Sequence, residues 1–471
     1  MKLNFSENSY EVKTLTLQEE TLVYRAFEHI PYVDNPKDEK MQCLSLYVPE
    51  AFYHGQTING YDLYSAPIFM PNSVGGYMPG PETAPGYDFM GRVNAVFKAL
   101  MHGYIAVSAG VRGRGLLDAS GRNIGVAPAG IVDLKAAVRF LREFKDSIPG
   151  DTEHIITNGT SAGGAMSSLQ GCTGNHPDYL PYLNELGAAD QRDDVFASSC
   201  YCPITNLDHA DMAYEWEFNG IEEYHRVIYK EPLPGESIPQ KINEDGIMSE
   251  QQNMISAQLK HLFPFYLDSL MLKDENGVSL SLNAKGINTF QARIEENILL
   301  SAQEALESGN AINEDPAIAS WLLIENGQAV DMDWNGFIKY RTRMKTAPAF
   351  DDVDIHTPEN ELFGSPSVQF RHFTSFSQNS DPQHGPIAEG TQVRMMNPME
   401  YIDDPKAIKA KHFRIRHGAI DRDTSLAISN ILQIKLMNAG IDAEVKHPWG
   451  VPHSGDYDLP QLFEWIDSIC R

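Results

Sequence analysis

At 471 residues, 42% of them hydrophobic, the chain can bury a large core, and its length alone allows two or three domains. Its 64 acidic against 37 basic residues leave a net charge of −27, which argues against nucleic acid or anionic membranes as partners. No apolar run approaches the roughly 20 residues of a membrane span. The stretch from Met1 to Asn8 lacks the apolar centre of a secretory signal, so a cytoplasmic location is expected. The five cysteines (Cys43, Cys172, Cys200, Cys202, Cys470) fit neither a zinc site nor a Cys-x-x-Cys redox motif. Reduced, partly buried thiols are expected, with Cys200 and Cys202 on one face of a strand-like run.

Gln42 to Val48 alternates with period two, as a half-exposed strand does. Ala66 to Met70 is a short apolar strand ending at Pro71. Apolar spacing from Met90 to Met101 is helical, and Tyr104 to Ala109 reads as a buried strand. Ile131 to Phe144 reads as a helix closed by Pro149-Gly150. Ile155 to Asn158 is strand-like, Ala165 to Leu169 is helix-compatible, and Val195 to Tyr201 is another strand. Such alternation implies a mostly parallel sheet covered on both faces.

The pattern breaks near Ile204 and resumes near Lys411. Between them lie a turn-rich stretch (Pro232, Pro234, Gly235, Pro239), amphipathic segments at Ser249 to Phe263 and Thr289 to Ser308, and polar loops such as Gln378 to Pro382. Pro264 is expected to end or kink the first amphipathic segment. Lys411 to Arg416 is then a strand, Thr424 to Met437 a helix, Ala443 to Lys446 a strand and Leu459 to Ile469 a terminal helix. The expected architecture is an α/β fold formed by residues 1–203 and 397–471, interrupted by a mostly helical insertion at 204–396 that would serve as a lid and recognition domain.

Gly159-Thr160-Ser161-Ala162-Gly163 lies where a strand should turn sharply into a helix. A serine on that turn is held in a strained backbone with its hydroxyl exposed, while the first N–H groups of the helix lack internal partners. A serine nucleophile needs a base, and the base needs a group that fixes its tautomer. In α/β-hydrolases these follow in the order serine, acid, histidine, on loops after later strands. The loop after the Lys411 strand carries Asp421 and Asp423, and the loop after the Ala443 strand carries His453. Asp421 is assigned as the acid and His453 as the base, with Asp423 the alternative acid, since spacing alone does not separate the two aspartates. The oxyanion hole is assigned to the N–H of Ala162 and that of Gly75 or Gly76, in the glycine-rich loop after the Ala66 strand. Arg112-Gly113-Arg114-Gly115 is given no catalytic role. No metal or organic cofactor is expected.

Several of these segments resemble the bacterial tannases. They include Gly159 to Gly164, Asn72 to Gly80, Arg416 to Ser425, Cys202-Pro203-Ile204, Asp211 to Trp216, Pro358-Glu359-Asn360 and Pro452 to Asp458. The similarity runs through nearly the whole chain, insertion included, and is to the subtype without a signal peptide. It implies an α/β-hydrolase fold and hydrolysis of galloyl esters to gallate and an alcohol. It also implies a triad of Ser161, Asp421 and His453, with galloyl hydroxyls recognised by Lys345, Glu359 and Asp423, which separates the two aspartates. An ammonium donates and two carboxylates accept, which suits three adjacent ring hydroxyls. Ile204 and Pro358 are read as apolar walls for the ring. No cysteine adjoins Asp421 or His453 in sequence, so the disulfide that ties these loops in fungal tannases is absent. The competing readings are a feruloyl or other aromatic carboxylesterase with the same triad, and a non-catalytic binding protein on a hydrolase scaffold.

Overall fold

A computed structural model describes residues 2–230, 240–282 and 288–471. The strands are β1 (Glu11–Leu17), β2 (Glu20–Pro31), β3 (Cys43–Pro49), β4 (Pro67–Pro71), β5 (Ile105–Ala109), β6 (Asp151–Thr160), β7 (Ala197–Tyr201), β8 (Glu223–Lys230), β9 (Gln240–Ile247), β10 (Leu322–Glu325), β11 (Gln328–Met332), β12 (His412–Arg416) and β13 (Asp442–Lys446). Nine of them form one twisted sheet in the order β1-β2-β3-β5-β4-β6-β7-β12-β13. Pairing is antiparallel from β1 through β3 to β5 and parallel from β5 to the β13 edge. Helices Ala129–Glu143, Ala162–Cys172 and Leu426–Asn438 pack their apolar faces into one core with the central strands. Val107, Ile155, Ile156 and Ile415 are fully buried, as two-sided cover of a parallel sheet requires.

Two expectations for the first half of the chain need correction. β3 is buried along its whole length rather than half-exposed. Its one polar inward position, Ser45, is satisfied by donating to Glu82 at 2.6 Å. The helix expected from Met90 begins at Ala95, because Asn94 caps it by accepting the Phe97 N–H at 2.9 Å, and Asp88 draws the preceding residues into a turn. β1 and β2 were not foreseen. β1 is a polar edge strand whose Glu11 and Val12 face solvent, so no apolar run marks it.

β7 and β12 are neighbours in the sheet, yet 210 positions, 202–411, separate them in sequence; among the described residues none of these joins the nine-stranded sheet. This region holds the expected helices, at Glu250–Ser269 and Thr289–Glu307, and two antiparallel hairpins, β8–β9 and β10–β11, that the sequence did not signal. Pro264 does not end its helix, which continues to Ser269. Ile255, Leu259, Phe263 and Leu267 lie along one buried face, and that burial outweighs the hydrogen bond that proline removes. Gln378 to Ser380, expected as loop, closes a short helix, Ser375–Ser380, capped by Thr374. The turn-rich stretch from Pro232 to Pro239 lies outside the described residues. Among those described, no helix is long and apolar enough to cross a membrane.

Candidate active site

β6 ends at Thr160 and the helix Ala162–Cys172 begins two residues later. Ser161 takes the whole turn, with φ 62° and ψ −123°. A left-handed φ on serine stores strain of about 1–3 kcal/mol, held in place by its surroundings. The Ser161 N–H donates to the Tyr201 carbonyl at 2.9 Å, and the Ser161 carbonyl accepts from Ala165 at 3.0 Å and Ile204 at 3.2 Å. A Cβ on Gly159 would lie 2.2 Å from the Gly163 carbonyl oxygen, so only glycine lets strand and helix meet here. Asn72 clamps the turn from the neighbouring loop, donating to the carbonyls of Asn158 at 3.1 Å and Gly163 at 3.0 Å.

That loop carries Gly75 and Gly76. Tyr77 is buried and donates its hydroxyl to the Ile204 carbonyl, which ties the loop to the residue held by the Ser161 carbonyl. Arg114 donates to the Gly76 carbonyl at 2.6 Å and to Glu361 at 2.6 Å. Among the described residues, the N–H groups of Gly75, Gly76 and Ala162 have no protein acceptor, which leaves them available as oxyanion donors. The Arg-Gly-Arg-Gly segment, assigned no catalytic role, thus fixes the backbone of the glycine loop through Arg114.

Asp421 is fully buried on the loop after β12 and receives the His453 Nδ1 at 2.8 Å. It also accepts the Asp423 N–H at 2.8 Å and faces His417 Nε2 at 3.4 Å. Burial works against its ionisation, but His453 and His417 hold its carboxyl well below the usual range. Burial likewise lowers the His453 imidazole, but the facing Asp421, with Cys202 and Asp423, pushes it well above the ordinary value of 6.5. The His453 loop is pressed onto the elbow strand, since a Cβ on Gly455 would come within 1.8 Å of Thr160 Oγ1. Asp456, next in the chain, accepts from Asn158 at 2.9 Å. Among the described residues no hydrogen bond joins Ser161 Oγ to His453, and such contacts commonly tighten only when substrate binds.

Lys345, Asp423 and Glu359 converge beside this dyad. Lys345 Nζ lies 2.7 Å from Asp423 Oδ1, and Asp423 Oδ2 lies 3.9 Å from His453 Nε2. Burial lowers the Lys345 ammonium, but Asp423 and Glu359 raise it above the usual lysine value. Glu359, in the first turn of the helix Pro358–Leu362, is buried; that burial raises its carboxyl, and Lys345 opposes the rise. Ile204 is buried and Pro358 exposed, and the Phe350 ring lies 4.0 Å from Lys345 Nζ. A charged donor and two carboxylates therefore stand next to a base, an arrangement able to orient a hydroxylated ring while an adjoining acyl group reacts.

Several contributors escaped the sequence reading. All five cysteines are free, but Cys202, although 251 positions from His453, sits within 4.8 Å of both Asp421 and His453 donors. These three groups are the donor set spaced to hold a metal among the described residues, though His453 and Asp421 are already bonded to each other. Nothing in a linear spacing could reveal that contact, because β7 and β12 bring it about by pairing Tyr201 with Arg416. A separate cavity of about 560 Å³ opens between residues 122–132 and 364–392. None of the predicted site residues lines it, and its arginines are already paired, Arg112 with Asp133, Arg122 with Asp118 and Arg371 with Glu389.

A family model described as BD-FAE matches residues 87–201. The chain is 42% identical to the tannase from Lactobacillus plantarum, covering 100% of both chains with a TM-score of 0.95. It is also 42% identical to the Fusobacterium nucleatum tannase, again over 100% of both chains, with a TM-score of 0.94. A tannin acyl hydrolase solved in complex with ethyl gallate is 41% identical over 99% of this chain and 98% of that one, with a TM-score of 0.90. A 58-residue stretch is 41% identical to Esterase LipC of Mycobacterium tuberculosis, spanning 12% of this chain and 14% of that protein.

Proposed function

We infer the reaction from the premise that this chain belongs to the bacterial tannases, carboxylic ester hydrolases of the α/β-hydrolase fold: it cleaves galloyl esters through a galloyl-enzyme intermediate on Ser161. His453 takes the Ser161 proton as Oγ attacks the galloyl carbonyl. The N–H groups of Ala162 and the Gly75-Gly76 loop receive the oxyanion. His453 then protonates the departing alcohol and activates the water that releases gallate. Asp421 fixes the imidazole tautomer and stabilises the imidazolium. Lys345, Asp423 and Glu359 bind the ring hydroxyls, with Ile204 and Pro358 against the ring faces.

The observation that carries this reading is the position of Asp423, 3.9 Å from His453 Nε2 and 2.7 Å from Lys345 Nζ, which joins recognition to the base. The relative solved with ethyl gallate supports the same substrate class. Hydrolysis of methyl gallate, methyl ferulate and methyl benzoate by wild type and Lys345→Ala tests it. Wild type should prefer methyl gallate, and Lys345→Ala should lose on the order of 10²-fold in kcat/KM for that ester, chiefly through KM. Preference for methyl ferulate in the wild type, or retained gallate preference in the variant, would reject the pocket while leaving an esterase.

The base sets the pH dependence. Neutral His453 is the active form, and its pKa stands above 6.5. Lowering the pH through that raised value protonates it, so kcat/KM should fall with a midpoint above 6.5 rather than below. A pH–rate profile flat from neutral into acid would sink the assignment of His453.

A further inference from the structure

We propose that Tyr214 is a positioning residue for galloyl recognition, its single hydroxyl locking the backbone that carries Lys345 to the backbone between Asp421 and Asp423. The proposal rests on the galloyl reading of the site given above. Tyr214 is fully buried on the helix Leu207–Phe218. Its hydroxyl accepts the N–H of Met344 and of Lys345, each at 3.1 Å. The same hydroxyl donates to the carbonyl of Arg422 at 3.1 Å. A phenol has one proton to give and two lone pairs to receive, so this oxygen is filled on every side.

The rest of the helix face shows that the hydroxyl works within a frame. Glu215 pairs with the fully buried Arg343 at 2.6 Å, and Arg343 donates to the Lys345 carbonyl at 2.8 Å. Asp211 accepts the N–H groups of Ala349, Phe350 and Asp351 at 2.6, 2.8 and 3.0 Å. Glu217 pairs with Arg341, which donates to the Asp421 carbonyl, and Glu217 also accepts the Leu426 N–H at 3.1 Å. One helix thus grips residues 341–351 and the acid loop together. Among these contacts the Tyr214 hydroxyl is the atom that touches both backbones at once, beside the ion pair between Lys345 and Asp423.

Removing the hydroxyl would free the two segments to drift apart by fractions of an ångström, enough to misplace bonds to ring hydroxyls. The test is kcat and KM for methyl gallate and methyl benzoate in wild type and Tyr214→Phe. The expected result is a fall of about tenfold or more in the gallate-over-benzoate ratio of kcat/KM, carried by KM for methyl gallate. A purely structural defect lowers both esters alike and leaves the ratio unchanged, which would overturn the proposal. Wild type showing no gallate preference would overturn the galloyl reading itself, a distinct result visible before any variant is made. Should Tyr214→Phe fail to fold, amide exchange in the wild type decides. Gallate should slow exchange at Met344 and Lys345 by about tenfold, and exchange that ignores gallate would overturn the coupling.

Discussion

Replacing Ser161 by alanine is expected to lower methyl gallate turnover by at least about 10⁴-fold with the fold retained. The change deletes one oxygen and nothing structural. The contacts that hold this residue in its left-handed conformation are made by its backbone N–H and carbonyl, with Tyr201, Ala165 and Ile204. Alanine keeps those bonds and the same strained φ, so thermal stability should stay close to wild type. What is lost is the atom proposed to become acylated. The residual rate should come from the oxyanion donors and from substrate positioning alone. A serine-directed phosphonate gives an independent readout: it should add one mass increment to wild type and none to Ser161→Ala. Labelling of the variant, or turnover within about tenfold of wild type, would move the nucleophile elsewhere.

Asp421→Asn is expected to cost about 10³- to 10⁴-fold in kcat at neutral pH. An amide in that buried site cannot compensate the charge of an imidazolium, and its NH₂ favours the wrong histidine tautomer. The geometry separates the two aspartates: Asp421 meets His453 Nδ1 at 2.8 Å, whereas Asp423 faces Nε2 at 3.9 Å and is bonded to Lys345. Asp423→Asn should therefore depress the hydroxylated ester selectively and spare methyl benzoate. Because Asp421 is the facing charge that most raises His453, the acid limb of any residual activity in Asp421→Asn should also move to lower pH. Near-normal methyl benzoate turnover in Asp421→Asn, with loss of both esters in Asp423→Asn, would exchange their roles.

The residues proposed for catalysis could be picked out in the sequence because their signals are local. A glycine-flanked serine after a run of Ile155 and Ile156, and two loops each following a short strand that alternates apolar with charged residues, are sequence-adjacent patterns that tertiary packing preserves. The recognition half is not local. Lys345 sits in an irregular segment and Glu359 on a very short helix, both far from Asp423 in sequence, and only family resemblance pointed to them. Arg341 and Arg343 illustrate the barrier. In sequence they look like solvated basic positions, yet they are 3% and 0% exposed because Glu217 and Glu215 neutralise them from a helix more than 100 positions earlier. The same blindness explains the contact between Cys202 and His453 and the role of Arg114. Elsewhere in the fold, the missed elements are those whose stability comes from pairing rather than pattern: the polar edge strand β1 and the two hairpins.

The ion pair between Lys345 and Asp423 bears on how this protein should respond to its medium. The two charges cancel within a sheltered site before any ligand arrives, so recognition there is short-ranged and largely hidden from dissolved ions. The molecular surface is the opposite case, an unbalanced −27 whose field reaches into solution. Ionic strength should accordingly leave the choice between hydroxylated and bare rings unchanged, while altering how fast an anionic carboxylate product departs.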